Sequence, residues 1–387
     1  MIKQFLQKTF KKFFYSIFSI IYGDIKNIIE SDEDERINVK KVIFDNELKY
    51  NIYKISKCRL YTDRIHDTAA ILDNKIVNGP SFQERYTKGS NFKIFNSEVK
   101  NNIVLKIGTP RILRKLDGTV LSLLTGGAGN NNYWHWLYDV LPRIGLCSKS
   151  INLNEINYYL VPSLLKKFQK QTLDVLNIPK TKRLSSEKYR HIKAEKLIMT
   201  DHPVVVSGNS TLDIQNIPKW ITIWLKNNFI IEKVIKSKSK KESRKIYIER
   251  DLNSQKKVSE RSIINDSEVK KYLLEKGFET VRLGDLDFQD QVNLFHNAEH
   301  IVGLHGAAFA NIVFCKPDTK VVEIKSLTAG AAIENLAKKN NLNYKSFDVE
   351  SKHIDKHVSS MSDGQEVGFT ASIKIPIDSL NTILKDK

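Results

Sequence analysis

The chain has 387 residues, 41% of them hydrophobic, which is enough to bury more than one core and too long for one average domain. Its 62 Lys+Arg against 44 Asp+Glu give a formal net charge of +18; a phosphorylated substrate, an anionic membrane surface or nucleic acid would each suit that charge, as would a general Lys-, Asn- and Ile-rich composition. Cys58, Cys147 and Cys315 form no Cys-x-x-Cys pair and no even framework, which excludes a cysteine zinc site and fits a reducing compartment, and no apolar run approaches the ~20 residues of a membrane-spanning helix.

Residues 1–30 combine Lys3, Lys8, Lys11 and Lys12 with an apolar block over residues 13–22. Such a segment predicts an amphipathic helix lying on a membrane surface; a packing helix and a secretory signal are the alternatives, although no small-x-small cleavage site precedes Gly23. The acidic run SDEDER, residues 31–36, reads as a solvated connector. Short β-rich runs between residues 42 and 107 (VIF, RLYT, AAIL, IVLKI) are broken by Asn, Asp, Gly and Pro, which predicts strands separated by turns. The pattern then becomes α/β: VLSLLT as a buried strand, a Gly/Asn loop, YWHWLYDVL as helix, YYLVP as strand, and an amphipathic helix with Ser163 as its cap.

The lysine-rich run KSKSKKESRK, residues 236–245, is the best linker. Beyond it KIYIER, ETVRL, HIVGL and KVVEI read as strands alternating with helices, the signature of a parallel sheet in a Rossmann-like domain. The expected organisation is therefore residues 1–30 as a membrane-proximal segment, 31–235 as a first α/β domain and 236–387 as a Rossmann-like domain. Two doubly wound domains would face a cleft at the carboxyl ends of their strands.

Two junctions carry the chemistry. In GLHGAAFAN, the strand HIVGL feeds Gly303, His305, Gly306 and Ala307 into a helix whose free amides and dipole favour a diphosphate. Close helix–sheet packing explains the small residues equally, but not the histidine. Glu323, ending KVVEI, could accept from sugar hydroxyls, and Arg250, closing KIYIER, could bridge phosphate oxygens with its planar fork. In NNNYWHWLYDVLPRI, Asn132 as a cap sets Trp134, Leu137, Tyr138 and Leu141 on one face, His135 and Asp139 one turn apart on another, and Pro142 at the helix end. Asp139 is the candidate general base, with His135 orienting it or touching the acceptor; the reverse assignment and a purely structural pair stay open. No HExxH motif or third ligand suggests a metal.

Taken in order, NNNYWHWLYDVLPRI, YIERDLNSQKKVSERSIINDSEV and DFQDQVNLFHNAEHIVGLHGAAFANIVFCKPDTKVVEI resemble glycosyltransferase family 61. The resemblance runs from about residue 121 to 324 and implies a GT-B architecture of two Rossmann-like domains. It further implies a nucleoside-diphosphate sugar, a UDP-sugar first among candidates, as donor substrate with no cofactor, and inverting, metal-independent transfer. It assigns Arg250, Gly303, His305, Gly306, Ala307 and Glu323 to the donor side, His135 and Asp139 to catalysis, and Asn132, Trp136 and Arg143 to the acceptor side. One departure is Glu249, where the family carries serine. The expected partners are the nucleotide sugar, a polysaccharide or lipid-linked glycan acceptor and an anionic membrane, with no nucleic acid, in a cytoplasmic protein held peripherally at the inner membrane. A non-catalytic scaffold of the polysaccharide machinery and a basic nucleic-acid-binding protein are the competing classes; the lysine-rich run lacks the interleaved aromatics that the latter needs.

Overall fold

The computed structural model describes residues 2–63, 67–83, 99–124, 131–207, 210–231, 245–249, 263–326, 329–349, 351–352 and 372–385. The chain divides into two compact units, Met1–Ser210 and Thr211–Lys387.

The first unit begins with the predicted amino-terminal helix, Ile2–Tyr22, which stops at Gly23 in the left-handed region (φ 80°). An eleven-stranded sheet follows. Its strands are β1 (Asn27–Ile29), β2 (Ile37–Phe44), β3 (Leu48–Ser56), β4 (Arg59–Thr62), β5 (Asp67–Leu72), β6 (Lys75–Val77), β7 (Phe82–Gln83), β8 (Arg114–Ser122), β9 (Tyr158–Val161), β10 (Arg183–Ser185) and β11 (His191–Thr200). The early strands are joined by tight turns: Asp73 and Asn74, at φ 43° and 62°, make the two-residue link between β5 and β6.

Links that short give only antiparallel neighbours, so β2–β3, β4–β5 and β5–β6 are antiparallel. Parallel pairing among the later strands is confined to β11, β8, β9 and β10, the last strands being spaced by helices. The expectation of a Rossmann-like first domain is thus corrected to a mixed sheet. Strand β11 is its pivot, antiparallel to β3 and β4 and parallel to β8. Ile55, Leu60, Val120, Leu160, Ile192 and Leu197 form the core around it, and its carboxyl end delivers Thr200, Asp201 and His202.

In the second unit β12 (Lys245–Glu249), β13 (Glu279–Arg282), β14 (His300–Leu304), β15 (Lys320–Ser326) and β16 (Asn343–Val349) form an all-parallel sheet in the order β13-β12-β14-β15-β16. Numbered within the unit this is 2-1-3-4-5, a doubly wound order whose direction reverses between β12 and β14. Helices Asp266–Glu275 and Phe288–Asn297 intervene as the alternation predicted, GAAFANIVF forms a 3-10 helix, Ala307–Phe314, and Ala332–Lys339 links β15 to β16. Tyr247, Val302, Val322 and Ile324 pack one face against Val269, Leu273 and Leu380. The helix Lys219–Phe229, expected in the first domain, belongs to the second unit, where Phe229 meets the rings of Phe288 and Phe314. The boundary therefore lies at residues 210–211 rather than 235; residues 236–244 of the expected linker lie outside the described residues.

Candidate functional site

In the first unit Asn132 caps as predicted: its side chain accepts from the Trp134 amide at 2.9 Å. Trp134, Leu137, Tyr138 and Leu141 are all buried. The helix does not end at Pro142. After Tyr133–His135 it widens into a π segment, Trp136–Val140, in which the Leu141 amide reaches the Trp136 carbonyl at 3.1 Å, and Pro142–Ser148 continues it. Proline lacks an amide hydrogen, so a wide turn just before it relieves the strain a regular helix would carry there.

Asp139 sits in that wide turn. His135 Nδ1 lies 2.6 Å from its Oδ2, with the imidazole 18% exposed and the carboxylate 6%. A second imidazole, from a distant part of the sequence, faces the same oxygen: His202 Nε2 is 4.0 Å from Asp139 Oδ2. The amides of Val204 and Val205 donate to His202 Nδ1 at 3.2 and 3.1 Å, so the proton of neutral His202 sits on the Nε2 that looks toward Asp139. Burial pushes the Asp139 carboxyl up, but His135, then His202 and Arg143, more than offset it and hold the group below the usual carboxylate range.

Arg143 and Trp136 are committed elsewhere. Arg143 is buried; its Nε donates to the Asp139 carbonyl at 3.2 Å and its Nη1 to the Thr200 carbonyl and hydroxyl at 3.0 and 3.1 Å. It ties the helix carrying His135 and Asp139 to the end of β11 and so sets where His202 stands. Trp136 is fully buried, with Nε1 donating to Thr172 Oγ1 at 2.9 Å. The expectation that Trp136 and Arg143 touch an acceptor is corrected, because their polar groups are spent inside the unit.

In the second unit the amide of His305 donates to the Ile324 carbonyl at 2.8 Å, extending the β14–β15 ladder by one rung and fixing the residue at the carboxyl edge. His305 Nδ1 bonds Glu323 Oε1, and the Tyr344 hydroxyl donates to Glu323 Oε2 at 2.5 Å. Glu323 is fully buried while the His305 side chain keeps 15% exposure. Both carboxylate oxygens thus face partners within the unit, and the expectation that Glu323 accepts from a sugar hydroxyl is corrected: its oxygens are taken by His305 and Tyr344. The Tyr344 phenol is driven far up, by burial first and by Glu323 next.

Gly303 serves packing. A Cβ there would lie 3.1 Å from Ile248 Cβ and 3.3 Å from the Phe309 ring. Gly306 is extended (φ 167°), and a Cβ would meet only the Leu304 carbonyl oxygen, at 3.8 Å, so its neighbourhood is open. His305, Gly306 and Ala307 are all partly exposed, and the first amides of any helix have no intrahelical acceptor.

Arg250 lies outside the described residues. Its neighbour Glu249 is clamped by Lys270 and by Arg282 Nε at 2.6 Å, and these two cations, Arg282 first, hold its carboxyl down. Among the described residues no group of three or more His, Cys, Asp or Glu is arranged to hold a metal ion.

A doubly wound sheet with an imidazole at its carboxyl edge, and elsewhere an imidazole backed by a buried carboxylate, are parts that a nucleotide-dependent transferase uses. Residues 133–322 match the family model described as Glycosyltransferase 61, and the chain belongs to that family. The protein is accordingly a glycosyltransferase, with a sugar donor and a glycan acceptor as its partners in general terms. The comparison with curated proteins returned no match.

Proposed function

We propose that the protein is an inverting, metal-independent glycosyltransferase whose second, doubly wound unit carries the donor. It moves a sugar from a nucleoside-diphosphate sugar, a UDP-sugar first among candidates, to a hydroxyl of a growing surface polysaccharide or glycolipid on the cytoplasmic side of the inner membrane. The observation that carries the reading is the His135–Asp139 pair, a part-exposed imidazole whose Nδ1 is held on a buried carboxylate at 2.6 Å.

This geometry supports His135 as the base over Asp139, the sequence-based candidate. A buried carboxylate kept below its usual range is a poor proton acceptor, whereas a ring that donates from Nδ1 presents Nε2 with its lone pair free for an acceptor hydroxyl. Asp139 then fixes the tautomer and balances the charge that develops on the ring, as the carboxylate of a catalytic triad does. The acceptor oxygen bonds to the anomeric carbon, its proton passes to His135 Nε2, and the bond from that carbon to the diphosphate oxygen breaks, the leaving group taking the electron pair.

On the donor side His305, steadied by Glu323, with Arg250, Gly306 and the Ala307 amide, meets the diphosphate; the 2-1-3-4-5 order supports this, since ligands of such sheets bind where the strand order reverses. The test is sugar transfer from a panel of nucleotide sugars, with diphosphate affinity measured in parallel. His135→Gln should cut turnover by about 10²–10⁴-fold with diphosphate affinity unchanged. Near-normal turnover in that variant refutes the base, and a wild-type chain that binds no nucleoside diphosphate refutes the whole reading in favour of a scaffold.

A further inference from the structure

The amino-terminal helix leaves an unusual surface uncovered. Phe10, Phe13, Phe14, Ile20 and Ile21 are exposed, Phe10 by 63%, Phe13 by 62% and Ile20 by 85%. At 100° per residue these positions, with Ile17, fall within an arc of about 120°, so the exposed groups form one continuous stripe.

The opposite side of the helix is anchored. Phe18 stacks on Tyr22, whose hydroxyl accepts from the Leu113 amide at 3.0 Å and whose ring meets the His191 ring edge-on at 5.0 Å. Arg59 reaches the Tyr22 carbonyl at 3.5 Å. The helix is therefore fixed at its carboxyl end in an orientation that turns the aromatic stripe away from the unit's own core. A stripe of this kind on a soluble surface marks an interaction site.

Charge selects the occupant. Residues 2–22 contain Lys3, Lys8, Lys11 and Lys12 and no acidic residue, in a chain of net charge +18. Two copies joined stripe to stripe would bring two sets of four lysines together, whereas an anionic lipid surface takes apolar side chains and ammonium groups at once. No helix among the described residues is long and apolar enough to cross a membrane, so the helix would lie in the interface. We propose that this helix is an interfacial membrane anchor, selective for anionic lipid, in which Phe10, Phe13, Phe14, Ile20 and Ile21 insert below the headgroups while Tyr22 locks the helix to the body of the first unit.

The test is co-sedimentation of the full chain with vesicles of phosphatidylcholine containing about 30% phosphatidylserine, against phosphatidylcholine alone. The chain should bind the anionic vesicles, and more weakly as salt rises. Phe10→Ser and Phe13→Ser should each weaken binding by about tenfold, with the melting temperature and nucleoside-diphosphate affinity unchanged because both side chains are exposed. Equal binding to neutral vesicles, unchanged binding by the double variant, or a solution dimer that this variant converts to monomer while the wild type ignores vesicles would each overturn the proposal. None of these outcomes depends on the transferase chemistry.

Discussion

Replacing Tyr344 with Phe removes one hydroxyl and nothing else, and its cost can be worked from the structure. The phenol donates to Glu323 Oε2 at 2.5 Å, and Glu323 is fully buried. Hydrogen bonds to a charged acceptor contribute about 1.5–3 kcal/mol, and burial leaves water little access to replace the lost donor. For a unit of this size that lowers the melting temperature by about 3–12 °C. Glu323→Gln should destabilise to a similar degree, since an amide cannot serve two donors with one oxygen as a carboxylate serves them with two. The double variant should cost less than the sum of the singles, with a coupling of about 1–2 kcal/mol, because the second change removes a partner already missing. The assay is urea denaturation of the four proteins, followed by titration of each with nucleoside diphosphate; a loosened His305 ring should weaken diphosphate binding by up to about tenfold. Strictly additive costs would show that the two groups do not interact, and full diphosphate affinity in Glu323→Gln would detach the trio from the donor site.

Three further outcomes are expected. Asp139→Asn should reduce turnover by about 10²–10⁴-fold in a transfer assay and should also flatten the acid limb of stability: a carboxyl held below its ordinary value stabilises the fold above the unfolded pKa, and that contribution is lost as pH falls through the folded one, whereas an amide cannot titrate. His191 and His300, each pushed down to about 4 chiefly by burial, stay neutral in the fold where the unfolded chain binds protons; stability should therefore fall as pH drops from 6.5 toward 4, by up to about 1.4 kcal/mol per pH unit for each histidine, and His191→Leu should shed its share of that slope in denaturation curves taken across the window. Gly303→Ala should destabilise by about 1–3 kcal/mol through overpacking against Ile248 and Phe309, whereas Gly306→Val should leave the melting curve intact and weaken diphosphate binding.

Periodicity made the second unit legible as far as β15, since β13, β14 and β15 each follow a helix and the alternation leaves few sheets to choose from. The Asn132 cap and the His135–Asp139 pair were also readable, because both depend on neighbours within one helical turn. His202 was not: it reaches Asp139 only because Arg143 ties the helix carrying Asp139 to the end of β11, which runs beside β8, a pairing that no local pattern encodes. Tyr344 escaped for a similar reason, as its bond to Glu323 depends on the register of β15 against β16. The first unit's strands could be seen as runs, but which strand pairs with β11 is decided by contacts more than a hundred residues apart in the sequence, such as Met199 with Tyr53. The π segment was hidden because Pro142 reads as a stop wherever regular helix geometry is assumed.

That wide turn makes the spacing of residues 136–140 as consequential as their identity. A π turn holds one residue more than an α turn, so deleting Val140 would let an α turn close on the same Trp136 carbonyl and leave the helix beyond it, with Arg143 on Thr200, about where it stands. The cost would fall on Pro142, set against a regular turn, and on Asp139, drawn out of its wide one. A residue gained there has no such slack: the downstream part would rotate by about 100° and advance by about 1.5 Å, and Arg143 would swing off Thr200. The helix thus behaves as a spacer with one residue in reserve, in which a single-codon gain would uncouple the two imidazoles that meet at Asp139 more completely than a single-codon loss.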